Sequence, residues 1–107
     1  MYSLVPSQLF DKDIDSVYHY IKENLEAPKA AENLMKELKE KLIYLKDNPF
    51  TRSYVQDKFL ANIGFRSLEV KNFTVFYIVD QKRNKINLIR FLYNKRDWIN
   101  ILREDNK

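Results

Sequence analysis

At 107 residues the chain has room for one domain, residues 1–107, because a second hydrophobic core would need about 100 residues of its own. Hydrophobic residues make up 45% and aromatics 14%, which suffices for a buried core and excludes a compositionally disordered chain. The absence of cysteine excludes disulfides and thiolate metal centres, and a single glycine excludes the glycine-rich phosphate loops of nucleotide-binding folds.

Nineteen Lys and Arg against fifteen Asp and Glu leave a net charge of +4. That charge suits contact with nucleic acid or an acidic partner, and it equally serves solubility. The opening MYSLVPSQLFDKD lacks a basic region followed by an apolar run, so no signal peptide is expected. No apolar stretch approaches the roughly 20 residues of a membrane span. A cytoplasmic protein without a membrane partner is the expectation.

Tyr2 to Val5 is apolar and β-prone and ends at Pro6, which predicts a strand. Ser7 is placed to cap a helix in which Phe10, Ile14, Val17, Tyr18, Ile21 and Leu25 recur at steps of three or four. Pro28 suits the first turn of a second helix. There Ala31, Leu34, Met35, Leu38, Leu42 and Leu45 carry the apolar stripe and Asn48-Pro49 ends it. Two long helices with a short link predict a helical hairpin.

Phe50 to Asn62 loses periodicity and is expected to be a loop. Period two then begins. Ile63 and Phe65 fall out of phase with Leu68 and Val70, which predicts a bulge between Gly64 and Ser67. Phe73 to Val79, apolar on both faces except for Thr74, predicts a central strand. After a polar turn at 80–85, Ile86 to Tyr93 predicts another strand, with Ile86, Leu88, Arg90 and Leu92 facing one way. Asn94 or Asp97 is placed to cap a final short helix presenting Trp98, Ile101 and Leu102, followed by a fraying tail from Glu104. The order β-α-α-β-β-β-α is an α+β fold, a helical hairpin on one sheet face with the other face partly open.

Chemistry has few carriers here. The lone His19 lies off the apolar stripe and has no second His or Cys with which to bind metal, so an exposed surface histidine is expected and neither metal nor cofactor. Cations and tyrosines gather on the strands instead: Arg66, Tyr77, Arg90, Tyr93, Lys95 and Arg96. An arginine within an apolar strand must face a solvated groove or pair with a carboxylate, for which Glu69, Asp80 and Asp97 are the candidates. Arginines on adjacent strands would suit successive phosphates, because the guanidinium fork matches phosphate geometry. In a regular strand Tyr93 points away from the face of Arg90.

The stretch GFRSLEVKNFTVFYIVDQKRNKINLIRFLYNKRDW, residues 64–98, resembles the RelE/ParE superfamily of toxins from bacterial type II toxin–antitoxin systems. The likeness rests on the order and spacing of Arg66, Tyr77, Asp80, Arg90, Tyr93, Arg96 and Asp97, with the Ala30-Ala31 pair of the hairpin before them. It implies a four-stranded, mostly antiparallel sheet with two helices on one side, and an antitoxin partner that wraps the toxin. In RelE-like members it implies ribosome-dependent, metal-free mRNA cleavage. Arg66 and Arg90 would then stabilise the phosphorane and Tyr93 would transfer protons or stack on a base. Lys58, Lys95 and Arg96 would hold RNA phosphates. In ParE-like members it implies inhibition of DNA gyrase with no catalytic set. Lys58 stands alone where RelE has two lysines, and the histidine that some ribonuclease members carry near the end of the last strand is absent. From sequence the ribonuclease reading comes first, gyrase inhibition second, and an inactive antitoxin-binding relative third.

Overall fold

The first strand passes into the first helix through Ser7. Its hydroxyl accepts from the Phe10 N–H at 3.0 Å and donates to the Ile89 carbonyl at 2.8 Å, so one side chain caps the helix and ties it to a distant strand. A computed structural model describes all 107 residues. The chain runs β1 (Ser3–Pro6), α1 (Gln8–His19), a π-helical turn (Tyr20–Asn24), α2 (Pro28–Asp47), α3 (Lys58–Ile63), β2 (Phe65–Val70), β3 (Phe73–Asp80), β4 (Lys85–Tyr93) and α4 (Trp98–Asp105). The sheet order is β1-β4-β3-β2, parallel between β1 and β4 and antiparallel elsewhere. This is the expected α+β fold with a short C-terminal helix.

Two cores flank the sheet. Phe10 of α1 and Leu34, Leu38 and Leu45 of α2 pack on Leu68, Val70, Val75, Tyr77, Ile86, Leu88 and Phe91. On the opposite face Leu60 of α3 and Leu102 of α4 join Val55, Phe65, Phe76 and Leu92. That second face is therefore covered by α3 and α4, where the sequence predicts it to be partly open. Part of the cover is α3, which begins inside the stretch 50–62 expected to be a loop and takes in Ile63, expected to open the next strand. Asp57 caps it by accepting from the Leu60 N–H at 3.1 Å, and Gly64 ends it in the left-handed region at φ 114°.

The phase change between Phe65 and Leu68 is not a bulge. Strand β2 is regular, its alternate residues feed different cores, and Ile63 belongs to α3. The irregularity lies in β4, where Phe76 pairs with Arg90 and Tyr77 with Leu88, which leaves Ile89 as the extra residue. Ile86 and Leu88 thus face the hairpin, whereas Arg90 and Leu92 face the α3–α4 side, a correction to the single face expected for all four. The tail also stays helical as far as Asp105 instead of fraying from Glu104.

Candidate functional site

Arg90 is 9% exposed and bound on two edges. Its Nε and Nη2 donate to the two carboxylate oxygens of Asp13 at 2.7 and 2.9 Å, and Nη1 donates to Asp105 at 2.8 Å. Asp13 also accepts from the Phe91 N–H at 3.0 Å. The bidentate Asp13 bond holds the guanidinium charged against the cost of its burial. Three elements, α1, β4 and α4, meet on this one side chain. Neither partner is among the carboxylates proposed from sequence, because Asp13 lies 77 residues away along the chain.

Arg66 occupies a different place. It is the cross-strand partner of Tyr77 and faces the hairpin side near the end of β3. Its guanidinium carbon sits 4.1 Å from the centre of the Tyr54 ring and 5.4 Å from that of Phe50, and Nη1 donates to the Arg52 carbonyl. Beside it Tyr77 is wholly buried and its hydroxyl has no partner. Burial pushes that phenol up to about 12, against the opposing pull of Arg66 and Arg52.

Tyr93 pairs with Phe73 at the other end of the sheet, its ring 5.5 Å from the Phe73 ring and on the face away from Arg90. The four-residue offset between Phe73 and Tyr77 places Tyr93 about 13 Å along the strands from Arg66, and two strands across. Lys95 and Arg96 are exposed in the turn after β4, whereas Lys58 is exposed at the start of α3, beside the opposite end of the sheet. The structure therefore does not gather Arg66, Arg90 and Tyr93 around one reacting centre, nor Lys58 with Lys95 and Arg96. His19 is half-exposed between Asp15 and Glu23, 3.4 and 3.5 Å away, and no group of three potential metal-ligating side chains forms.

Two concavities meet at Tyr93. A hollow of about 290 Å³ on the α3–α4 face is lined by Ser67, Glu69, Thr74, Phe76, Asn94 and Trp98. Thr74 donates to Asn94 there, and the one charged side chain is the anionic Glu69. A cation-free hollow with a carboxylate in it repels a phosphodiester and offers nothing to neutralise a developing phosphorane. The larger concavity, about 820 Å³, is an apolar groove on the hairpin side. Val17, Tyr20, Ile21, Leu25, Leu34 and Phe73 give it an apolar floor and walls, and Lys71 and Arg96 are its charged members. Tyr20 and Leu25, each 55% exposed, stand where α1 loosens into the π-helical turn. The helical period assigns Leu25 to the core stripe, and nothing in the sequence marks Tyr20. A change in helical winding leaves no periodic signal, so the groove was not foreseeable.

The description "ParE toxin of type II toxin–antitoxin system, parDE" belongs to a family model that matches residues 4–98. No curated protein sequence gives a significant match. The fold resembles a chromosomal ParDE toxin–antitoxin system from P. aeruginosa with a TM-score of 0.66 and 21% identity, over 87% of this chain and 96% of that one. It also resembles the E. coli DinJ–YafQ complex (TM-score 0.60, 16% identity, 87% and 93% covered). A third likeness is to the RelBE2 toxin–antitoxin complex of Mycobacterium tuberculosis (0.59, 11%, 86% and 96%). At these identities the solved structures speak for the fold, and the family model, which spans nearly the whole chain, speaks for descent: the chain belongs to the ParE toxin family of type II toxin–antitoxin systems.

Proposed function

We propose that this toxin acts by binding a protein target, DNA gyrase, and not by cutting RNA, and that a cognate antitoxin neutralises it. The dispersal of Arg66, Arg90 and Tyr93 is the observation that carries this reading. Ribonuclease chemistry needs a nucleophile activator and cations converging within hydrogen-bond reach of one phosphate. Here Arg90 is held by Asp13 and Asp105 on one face, Arg66 lies between aromatic rings at one end of the other, and Tyr93 is at the far end. The gyrase reading, second from sequence, thereby moves ahead of mRNA cleavage. Membership of the ParE family supports the same order.

The apolar groove is the seat we assign to the antitoxin. A segment with two or three apolar anchors and flanking acidic residues would cover Tyr20 and Leu25 and meet Lys71 and Arg96. The deciding experiment induces the toxin alone, then assays trapped gyrase–DNA complexes and maps mRNA 5′ ends from the same culture. Gyrase complexes with intact mRNA are expected. Codon-spaced 5′ ends without gyrase complexes would return the chain to the ribonuclease reading.

A further inference from the structure

The end of the sheet remote from the groove has its own chemistry. Phe50 and Tyr54, 49% and 54% exposed, lie against the Arg66 guanidinium, and Tyr2 meets Phe50 edge-on at 6.0 Å. Exposed aromatics are costly in water unless something covers them. Their neighbours are basic. Arg52 is exposed, and none of the chain's ion pairs uses Arg52 or Arg66. The registers Asp80 to Lys85 and Ser3 to Lys85 bring the β3–β4 turn, with Lys82, to this same end.

Guanidinium groups with no carboxylate partner, beside exposed ring faces, match a backbone phosphate flanked by flat bases. We propose that Arg52, Tyr54, Phe50 and Arg66 form a binding platform for single-stranded nucleic acid. The arginines take phosphates, and the outer faces of Tyr54 and Phe50 take stacked bases. A purely acidic protein segment would satisfy the arginines but leave the rings uncovered, whereas a single strand brings an anion and a flat stacking face with every nucleotide, which is why a nucleic acid fits better. A duplex would cover the charges yet bury its own base faces. The platform lies at the opposite end of the sheet from the groove, so it stands or falls independently of the gyrase reading.

The test is fluorescence anisotropy of labelled oligothymidylate and oligouridylate, each about 12 nucleotides long, with the purified full-length chain across a salt series. Two phosphate contacts predict a slope of about −1.4 in log affinity against log salt, falling to about −0.7 in Arg52→Ala. Tyr54→Ala is expected to weaken binding about 5- to 150-fold while leaving the slope unchanged. Both side chains are exposed, so folding is expected to survive and circular dichroism checks it. Lys36→Ala and Lys39→Ala, on the solvent face of α2, should change neither quantity. A preference for either oligonucleotide identifies the natural strand as DNA or RNA, and equal affinity marks a reader of backbone and base faces alone. Three results overturn the platform: no binding at low salt, binding indifferent to Arg52→Ala and Tyr54→Ala, or equal displacement by polyglutamate.

Discussion

Arg90 shows how a residue found by sequence can carry a different meaning in the fold. An arginine between Ile89 and Phe91 announced an unusual demand on its surroundings, and the alternatives were a solvated groove or an ion pair. The pair won, with partners from α1 and the last turn of α4 that no local pattern links to β4. Arg90→Ala is expected to destabilise the chain by about 3–5 kcal/mol in urea unfolding, because it strands Asp13 and Asp105. A loss below about 1 kcal/mol, on the scale of an exposed pair, would mean that the network is solvated and the side chain free for other work. Tyr77 gives the opposite expectation. Its hydroxyl is buried without a partner, so Tyr77→Phe is expected to be neutral or to stabilise by about 1 kcal/mol. A clear destabilisation would reveal a hydrogen bond to that hydroxyl.

Among the elements, the long periodic ones were legible and the short ones were not. Helices α1 and α2 and strands β3 and β4 follow from apolar spacing, with Ser7 and Pro28 marking starts. Helix α3 has six residues, too few to establish a period, and its signals were the cap at Asp57 and the stop at Gly64. The misplaced bulge has a similar cause: a sheet buried on both faces makes every phase apolar, so phase alone cannot say where a residue is inserted. Gly64→Ala tests the α3 stop. At φ 114° a side chain is strained and its Cβ would come within 3.4 Å of Ile78, so a cost of about 1–2 kcal/mol is expected in thermal or urea unfolding. An unchanged stability would show that the turn relaxes freely. Asp57 also accepts from Arg103 of α4 at 2.9 Å, and that bond, with the Leu60 N–H, holds its carboxyl below the ordinary range. A depressed folded-state pKa gives stability that is complete above the unfolded value of about 4 and is lost as pH falls through the folded one. Asp57→Asn keeps the cap and removes the charge. Its melting temperature should trail the wild type at pH 7, and the gap should begin to narrow at about pH 4 and close only as pH falls through the lower folded-state value, whereas a constant gap would exclude the charge as the cause.

At the scale of the whole molecule the sheet works as a spacer. The same antiparallel register that puts Arg66 opposite Tyr77 puts Tyr93 opposite Phe73, so the strands hold an apolar groove at one end and an arginine–aromatic surface at the other. This separation was invisible in the sequence, where all these residues fall within one motif and look like one site. It also makes the seat proposed for the antitoxin testable without disturbing the fold. Tyr20 and Leu25 are each 55% exposed and contribute little to the core, whereas a partner that buries them gains the transfer of two large side chains out of water. Tyr20→Asp or Leu25→Asp is therefore expected to leave the melting temperature nearly unchanged. Each should weaken antitoxin binding at least about fivefold in titration calorimetry, since truncating a buried aromatic or aliphatic anchor costs about 1–4 kcal/mol. Paired with an antitoxin that can no longer hold it, such a variant should also stay toxic during co-expression. Undiminished antitoxin affinity in both variants would place the seat elsewhere on the molecule and leave these exposed residues to the target.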